Sequence, residues 1–434
     1  MKNFFFNQLQ KKIKAKKVKI GIIGLGYVGL PLANAFTKNN IIVHGFDTDL
    51  SKITSLNKGK SFINYFKNKN IKEMIKKKFT CGNDFSKISE IDFIILCLPT
   101  PLTKNKKPDM SYIKKSLLAI KKYLRPGQAL CLESTTYPGT CREVLAPVLK
   151  RFSIGEDFFL IYSPEREDPG NKEFSILKTP KIVGGFSKKC LNIGYDLYKL
   201  LNTKIIKVPT LEIAEFTKLL ENIYRSVNIG MINELKILAQ KMNINIFEVI
   251  KAAKTKPFGF HAFYPGPGYG GHCIPIDPFL LSWKANQYNF DTKFIKLSGK
   301  INENMPLRIL NKIKKIIKEN TIKKKVLILG VAYKKNVDDT RESPAIHVMK
   351  LLTKNKIKYD FLDPFVPELK GLRNFNLQIK SIELKYSLLK QYPLIILITD
   401  HDKFNYKAIN KNSQMILDCR GRYAFNISEK IIQI

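Results

Sequence analysis

The sequence predicts an α/β protein: two doubly wound parallel sheets, one toward each end of the chain, joined by a central helical domain. Three observations carry that expectation. A short apolar run, Val18–Ile23, leads at once into Gly24-Leu25-Gly26-Tyr27-Val28-Gly29 and a helical pattern through about Lys38, and a second apolar run, Ile41–Phe46, ends in Asp47. From Thr210 the apolar spacing lengthens to that of a long helix. After it, Lys325–Gly330 opens a second series of strand-and-loop signals, with later strands ending at Asp363, Asp400 and Asp418. The expected boundaries are a basic N-terminal extension over 1–17, a Rossmann-like domain over 18–209, a helical domain over 210–318 and a second Rossmann-like domain over 319–434.

At 434 residues the chain exceeds one ordinary core, and its 44% hydrophobic content suits a globular protein. The opening stretch, MKNFFFNQLQKKIKAKK, has a Phe triplet but no extended apolar core or small-residue cleavage site, so it is not read as a secretory signal. No apolar run has the length of a membrane span. Seven cysteines, an odd number with no CxxC pair, argue against a disulfide framework and a zinc site and point to a reducing, cytoplasmic setting. The five histidines show no metal-ligand spacing, and no metal is expected. The net charge of +39 comes from lysines spread through every segment, with no nucleic-acid-binding motif beside them, and is read as a solvated surface.

The first elements follow the order a dinucleotide site demands. Gly24 serves the tight turn, Gly26 the approach of a pyrophosphate and Gly29 helix–strand packing, with Tyr27 and Val28 between them. An acid about 20 residues on completes the fingerprint. Asp47 fills that place and favours NAD over NADP; Asp49 competes for the ribose contact, and Lys52 lies close enough to weaken the discrimination. Strands expected at Asp92–Leu98, Ala129–Leu132 and Phe158–Tyr162 each end in a loop, PTP (99–101), ESTTYPG (133–139) and SPEREDPG (163–170). Open parallel sheets collect ligands at strand carboxyl ends, so Thr100, Thr135 and Glu165 are candidates to face the cofactor; as plain turn formers they would only shape loops.

In the long helix, Leu211, Ala214, Phe216, Leu219, Ile223, Val227, Met231, Leu235 and Leu238 supply apolar positions, while Lys218, Asn222 and Arg225 share one face. The segment Pro257–Phe279, PFGFHAFYPGPGYGGHCIPIDPF, is too rich in Gly and Pro for helix or central strand and reads as an ordered loop close to a ligand. Within it Cys273 has His272 beside it and Asp277 four residues on, and is read as a nucleophile; the other six cysteines are read as packing residues. Thr292–Lys318 is a second long helix, and Arg341 in DDTRESP is a candidate to reach toward the other domain.

GLGYVGLP, PTP, SPER, the Lys218–Asn222 helix, GPGYGGHCIPIDP and DDTRES, in that order, resemble the UDP-glucose/GDP-mannose dehydrogenase family over nearly everything from Val18 onward. The resemblance implies an NAD-binding first domain, a central domain that usually forms a homodimer, a UDP-sugar-binding last domain, and a role in surface polysaccharide synthesis. SPER and GGHC look like the branch acting on UDP-N-acetylhexosamines, most of all UDP-GlcNAc. UDP-glucose, UDP-GalNAc, UDP-ManNAc and GDP-mannose are the alternatives.

The chemistry so implied is a four-electron oxidation at C6 through a Cys273 thiohemiacetal and thioester. Lys218 and Asn222 would stabilise oxyanions, Asp277 would position water or tune Lys218, Glu165 would be the base for hydrolysis, and Thr135 would hold the water. Arg341 would touch cofactor phosphate; Arg166, Tyr264, Gly266, Gly268, Gly270 and Lys334 would line the substrate. A two-electron β-hydroxyacid dehydrogenase and a noncatalytic nucleic-acid-binding protein are the competing readings; neither needs the glycine-framed thiol.

Overall fold

Apolar runs buried on both faces become parallel strands because each must be covered by helices above and below. The computed structural model describes residues 3–434 apart from 64–65, 104, 168–177, 373–374, 376 and 427. The chain divides into two units, Met1–Glu221 with Trp283–Phe290, and Asn222–Ser282 with Asp291–Ile434.

In the first unit the elements run α1 (Phe4–Lys14), β1 (Lys19–Ile23), α2 (Gly29–Lys38), β2 (Ile42–Phe46), α3 (Leu50–Asn57), α4 (Asn68–Lys76), β3 (Phe79–Gly82), β4 (Phe93–Leu96), α5 (Ser111–Ile120), β5 (Gln128–Leu132), β6 (Phe158–Tyr162), β7 (Lys181–Gly185), α6 (Lys188–Lys199), β8 (Ile205–Lys207) and the start of α7 (Leu211–Lys241). The sheet order is β3-β2-β1-β4-β5-β6-β7-β8. Every pairing is parallel except β6 with β7. The order reverses between β1 and β4, so the loops after these strands open the crevice in which such sheets bind ligands.

The basic opening stretch is helical. Leu9 and Ile13 of α1 are buried in the core of this unit, with Phe5 and Phe6 packed against it. Gln10 donates to Asp196 at 2.8 Å, and Lys12 pairs with the buried Asp92 at 2.7 Å.

The second unit continues α7 and adds α8 (Ile246–Ala253), the start of α9 (Asp277–Asn286), α10 (Lys293–Glu319), β9 (Val326–Leu329), α11 (Pro344–Lys354), β10 (Tyr359–Leu362), β11 (Glu368–Leu369), β12 (Ile379–Lys380), β13 (Ile395–Leu397), α12 (Tyr406–Asn412), β14 (Ile416–Asp418) and β15 (Ile431–Gln433). Its parallel sheet runs β10-β9-β13-β14-β15, with the reversal between β9 and β13. Asp363, after β10, accepts from Val331 N at 2.7 Å and from the buried His401 at 2.9 Å.

Candidate active site

The glycine loop after β1 leaves no room for side chains where the fingerprint forbids them. A Cβ on Gly24, whose φ is +95°, would lie 2.4 Å from the Cys97 carbonyl oxygen, and one on Gly29 would lie 2.0 Å from that of Gly24. Gly26 faces open space. The loop runs into the N-terminus of α2, where backbone N–H groups and the helix dipole suit a pyrophosphate, so these residues fit an NAD molecule. Asp47 accepts from Leu25 N and Asp49 N, each at 2.9 Å, with Lys52 Nζ 3.7 Å away. Asp49 instead caps α3 by accepting from Ser51 N and Lys52 N. Of the two acids, Asp47 is the one bound to the glycine loop.

Loops after β4, β5 and β6 converge as adjacent strands require. Leu98 N donates to Ser134 Oγ at 2.8 Å, and the buried Thr100 hydroxyl donates to the Thr135 carbonyl at 2.6 Å. Thr100 therefore shapes the loop that presents Thr135.

Glu165 Oε1 accepts from the backbone N–H groups of Arg166 and Glu167, both at 2.7 Å, and Oε2 lies 3.3 Å from Lys181 Nζ. Burial alone would raise this carboxyl, but Lys181, the two N–H groups and Lys218 outweigh it and hold it below the usual range. Arg166 directs its guanidinium to the Pro180 carbonyl and to Glu221, each at 2.6 Å, which ties the loop to α7. Residues 168–170 of the same loop lie outside the described residues.

Along α7 polar residues share the buried positions with Leu211, Ala214, Leu219 and Ile232. Glu215, Lys218, Asn222, Ser226, Asn233 and Lys236 are buried, while Phe216, Leu220, Tyr224, Met231, Leu235 and Leu238 are exposed. Of the face expected from spacing, Lys218 and Asn222 are buried and Arg225 is exposed. Phe216, Met231, Leu235 and Leu238, among the apolar positions of the sequence pattern, are exposed. Asn222 donates to the buried Asp277 at 2.5 Å.

In the second unit the glycine-rich segment is locked against protein. Gly266 N donates to Asn233 Oδ1 at 2.9 Å, Asn233 donates to Asn302 Oδ1 at 2.9 Å, and Asn302 donates to the Ser226 carbonyl at 3.2 Å. Pro306, inside α10, has no N–H for the Asn302 carbonyl four residues back. Gly268 sits against that carbonyl, where a Cβ would come within 2.9 Å. A Cβ on Gly270 would lie 2.8 Å from the Glu342 carbonyl oxygen, and one on Gly271 2.8 Å from the Tyr333 ring. These contacts give the missing side chains a structural reason besides the expected approach of a ligand.

The thiol at the end of this segment stands apart from the others. Cys273 is exposed, and its carbonyl accepts from the first N–H of α9, that of Asp277, at 2.8 Å. Burial pushes Cys81 up to about 11 and Cys419 up to about 12, and raises Cys97, Cys131, Cys141 and Cys190 as well. His272 is lowered to about 4 by burial and by Arg341, so it offers the thiol no positive charge at neutral pH. Arg341 itself pairs with Asp339 of its own loop at 2.6 Å, while its carbonyl accepts from Gly271 N at 3.0 Å. Tyr264 is exposed, and Lys334 Nζ lies 5.8 Å from the Tyr333 ring centroid.

Sequence reasoning passed over Glu133, Lys181, Tyr198, Glu215, Asn233 and Asn302. The sequence marks two of them, Lys181 between Pro180 and Ile182 and Glu215 between Ala214 and Phe216, as polar positions flanked by apolar residues. Glu215 accepts from Gly139 N at 2.5 Å and Cys141 N at 2.9 Å, joining the Thr135 loop to the helix that carries Lys218. Burial lifts its carboxyl to about 7 despite those donors. The folded form thus keeps a proton that the unfolded chain loses near 4.5, so this group's contribution to stability declines as pH rises from 4.5 to 7. Relative to Glu215→Gln, the native protein should lose up to roughly 3 kcal/mol of stability between pH 5 and pH 8. Chemical unfolding of both proteins at the two pH values measures this, and an unchanged difference would mean that Glu215 does not titrate in that window.

Three family models match the chain in order: the NAD binding domain of the UDP-glucose/GDP-mannose dehydrogenase family over residues 18–202, its central domain over 212–304 and its UDP binding domain over 327–424. A UDP-N-acetyl-D-glucosamine 6-dehydrogenase of Salmonella typhi is 35% identical over 93% of this chain and 96% of its own. A UDP-N-acetyl-D-mannosamine dehydrogenase of Methanocaldococcus jannaschii is 33% identical over 91% and 87%. Among solved structures, the UDP-D-ManNAc dehydrogenase of Pyrococcus horikoshii superposes with a TM-score of 0.84 at 29% identity, covering 96% of this chain and 99% of that one. The chain belongs to the UDP-glucose/GDP-mannose dehydrogenase family and is an NAD-dependent nucleotide-sugar dehydrogenase.

Proposed function

We propose that the protein oxidises the C6 hydroxymethyl group of a UDP-N-acetylhexosamine, UDP-GlcNAc first, to the carboxylate, making a precursor for surface polysaccharide. The observation that carries this reading is the single exposed thiol among seven, Cys273, ahead of the N-terminus of α9. Preference for GlcNAc rests on SPER, GGHC and the Salmonella typhi relative.

Bound NAD⁺ supplies the hydride acceptor, twice per substrate molecule. Asp47 holds the adenosine ribose, with Lys52 beside it, and Tyr27, Val28, Thr100 and Arg341 complete the cofactor contacts. After the first oxidation, the Cys273 thiolate adds to the aldehyde carbon. Lys218 and Asn222 stabilise the thiohemiacetal in its oxyanion form. The second oxidation removes hydride from that carbon as the oxyanion closes to a carbonyl, leaving a thioester. Glu165 takes a proton from water held near Thr135, the hydroxide attacks the thioester, and the thiolate leaves on Cys273. Asp277, fixed by Asn222, orients the group it faces. Arg166, Tyr264, Gly266, Gly268, Gly270 and Lys334 contact the nucleotide sugar.

The chain acts as a homodimer through the exposed apolar face of α7. Ile213, Phe216 and Leu220 with Pro138 form an apolar groove there, and a stripe this extensive on a water-facing helix calls for a cover. A second copy of the same helix offers one.

With UDP-GlcNAc the purified protein should release two NADH per sugar, and more slowly with UDP-ManNAc, UDP-glucose or GDP-mannose. Cys273→Ser should stop before the second oxidation; a Ser variant that completes both at the normal rate excludes covalent catalysis here. Phe216→Lys with Leu220→Lys should convert a dimer to a monomer in sedimentation equilibrium, and a native protein already monomeric would remove the assembly from this account.

A further inference from the structure

Beneath Glu165 lies a buried charge cluster that none of the steps above uses. Lys181, the first residue of β7, and Glu133, just past the end of β5, are 5% and 2% exposed. Lys181 Nζ lies 3.0 Å from Glu133 Oε2 and 3.3 Å from Glu165 Oε2. Tyr198 donates its hydroxyl to Glu133 Oε1 at 2.5 Å, and Cys131 Sγ lies 3.2 Å from the same hydroxyl. One ammonium therefore serves two carboxylates, only one of which the chemistry calls on.

Stability does not account for such a cluster, since desolvation takes back most of what buried ion pairs gain and apolar replacements are often as stable. Its electrostatics are lopsided. Burial raises Glu133, whereas Glu165 is held down by Lys181, and Lys181 is raised because the two carboxylates outweigh its burial. Glu133 thus takes up a proton more readily than Glu165, and once it does the ammonium is left to Glu165. Among the described residues, the other charged groups near Glu165 are Lys218 from α7 and, in its own loop, Glu167 and Arg166, the last directed to Glu221. The Cys97 and Cys131 thiols are kept protonated by burial.

We propose that Lys181 is a positioning residue for Glu165, fixing the direction of Oε2 and setting the pH at which it becomes a base, with Glu133 and Tyr198 holding the ammonium in place. The proposal rests on Glu165 being the base for thioester hydrolysis. It ties the hydrolytic step to β7 and α6, elements outside the cofactor loops.

The test is the pH profile of the steady NADH rate in four proteins. Glu133→Gln keeps the ammonium on Glu165, so its acid limb should stay where the native one lies. Glu133→Gln with Lys181→Met removes one charge of each sign beneath Glu165; its acid limb should rise by about 1–3 pH units, as expected for loss of a close opposite charge. kcat should fall while KM for the sugar and for NAD⁺ holds. Glu133→Gln with Lys181→Arg should bring the limb back toward the native position. An acid limb in the Met double variant matching that of Glu133→Gln, however slow the enzyme, would overturn the proposal. A Glu165→Gln protein that turns over at the native rate would instead overturn the assignment of Glu165 as base.

Discussion

The polar inner face of α7 is the constraint on which the rest of the site depends. Burying Glu215, Lys218, Asn222, Ser226, Asn233 and Lys236 on one helix is unfavourable unless each finds a partner. Neighbouring loops and helices supply partners for three of them. Glu215 takes the N–H groups of the Thr135 loop, Asn222 takes Asp277, and Asn233 takes Gly266 and Asn302. Lys236 Nζ has no hydrogen-bond partner among the described residues, and burial pushes it down to about 8. Partnering has a geometric result within each unit, because segments far apart in sequence are set against the same stretch of helix: the Thr135 loop against Glu215 in the first, Asp277 and Gly266 against Asn222 and Asn233 in the second.

The glycine-rich segment shows the same economy at the backbone level. Pro306 frees one carbonyl of α10, Gly268 packs against it, and the Asn233–Asn302 pair ties down Gly266. A loop fixed at these points does not have to be ordered by substrate, and its last residues run directly into α9. Preorganisation of this kind removes an entropic term from the binding of a ligand at the segment.

Much of this was legible in the sequence. The roles given to Gly24, Gly26 and Gly29 follow from steric necessity, and the spaces found around them have that pattern. Strands β1, β2, β4, β5, β6 and β9 were legible because double burial requires continuous apolar runs, whereas β3, β7 and β8 were not. What escaped notice was what depends on pairing across the sheet. Glu133 and Lys181 stand 48 residues apart and meet only because of how the strands are arranged. The helix over 4–14 escaped because a lysine-rich stretch hides an apolar face of only a few residues, Phe5, Phe6, Leu9 and Ile13. The outward turn of the α7 stripe was not legible for a general reason: periodicity reports an apolar face, not which way it turns.

The most direct test of the account is the mass of the protein during turnover. Glu165→Gln mixed with NAD⁺ and UDP-GlcNAc and quenched in acid should carry one nucleotide-sugar acyl group, and peptide mapping should place it on Cys273. An unmodified protein that has nonetheless formed two NADH per site, or an adduct on another residue, would contradict it.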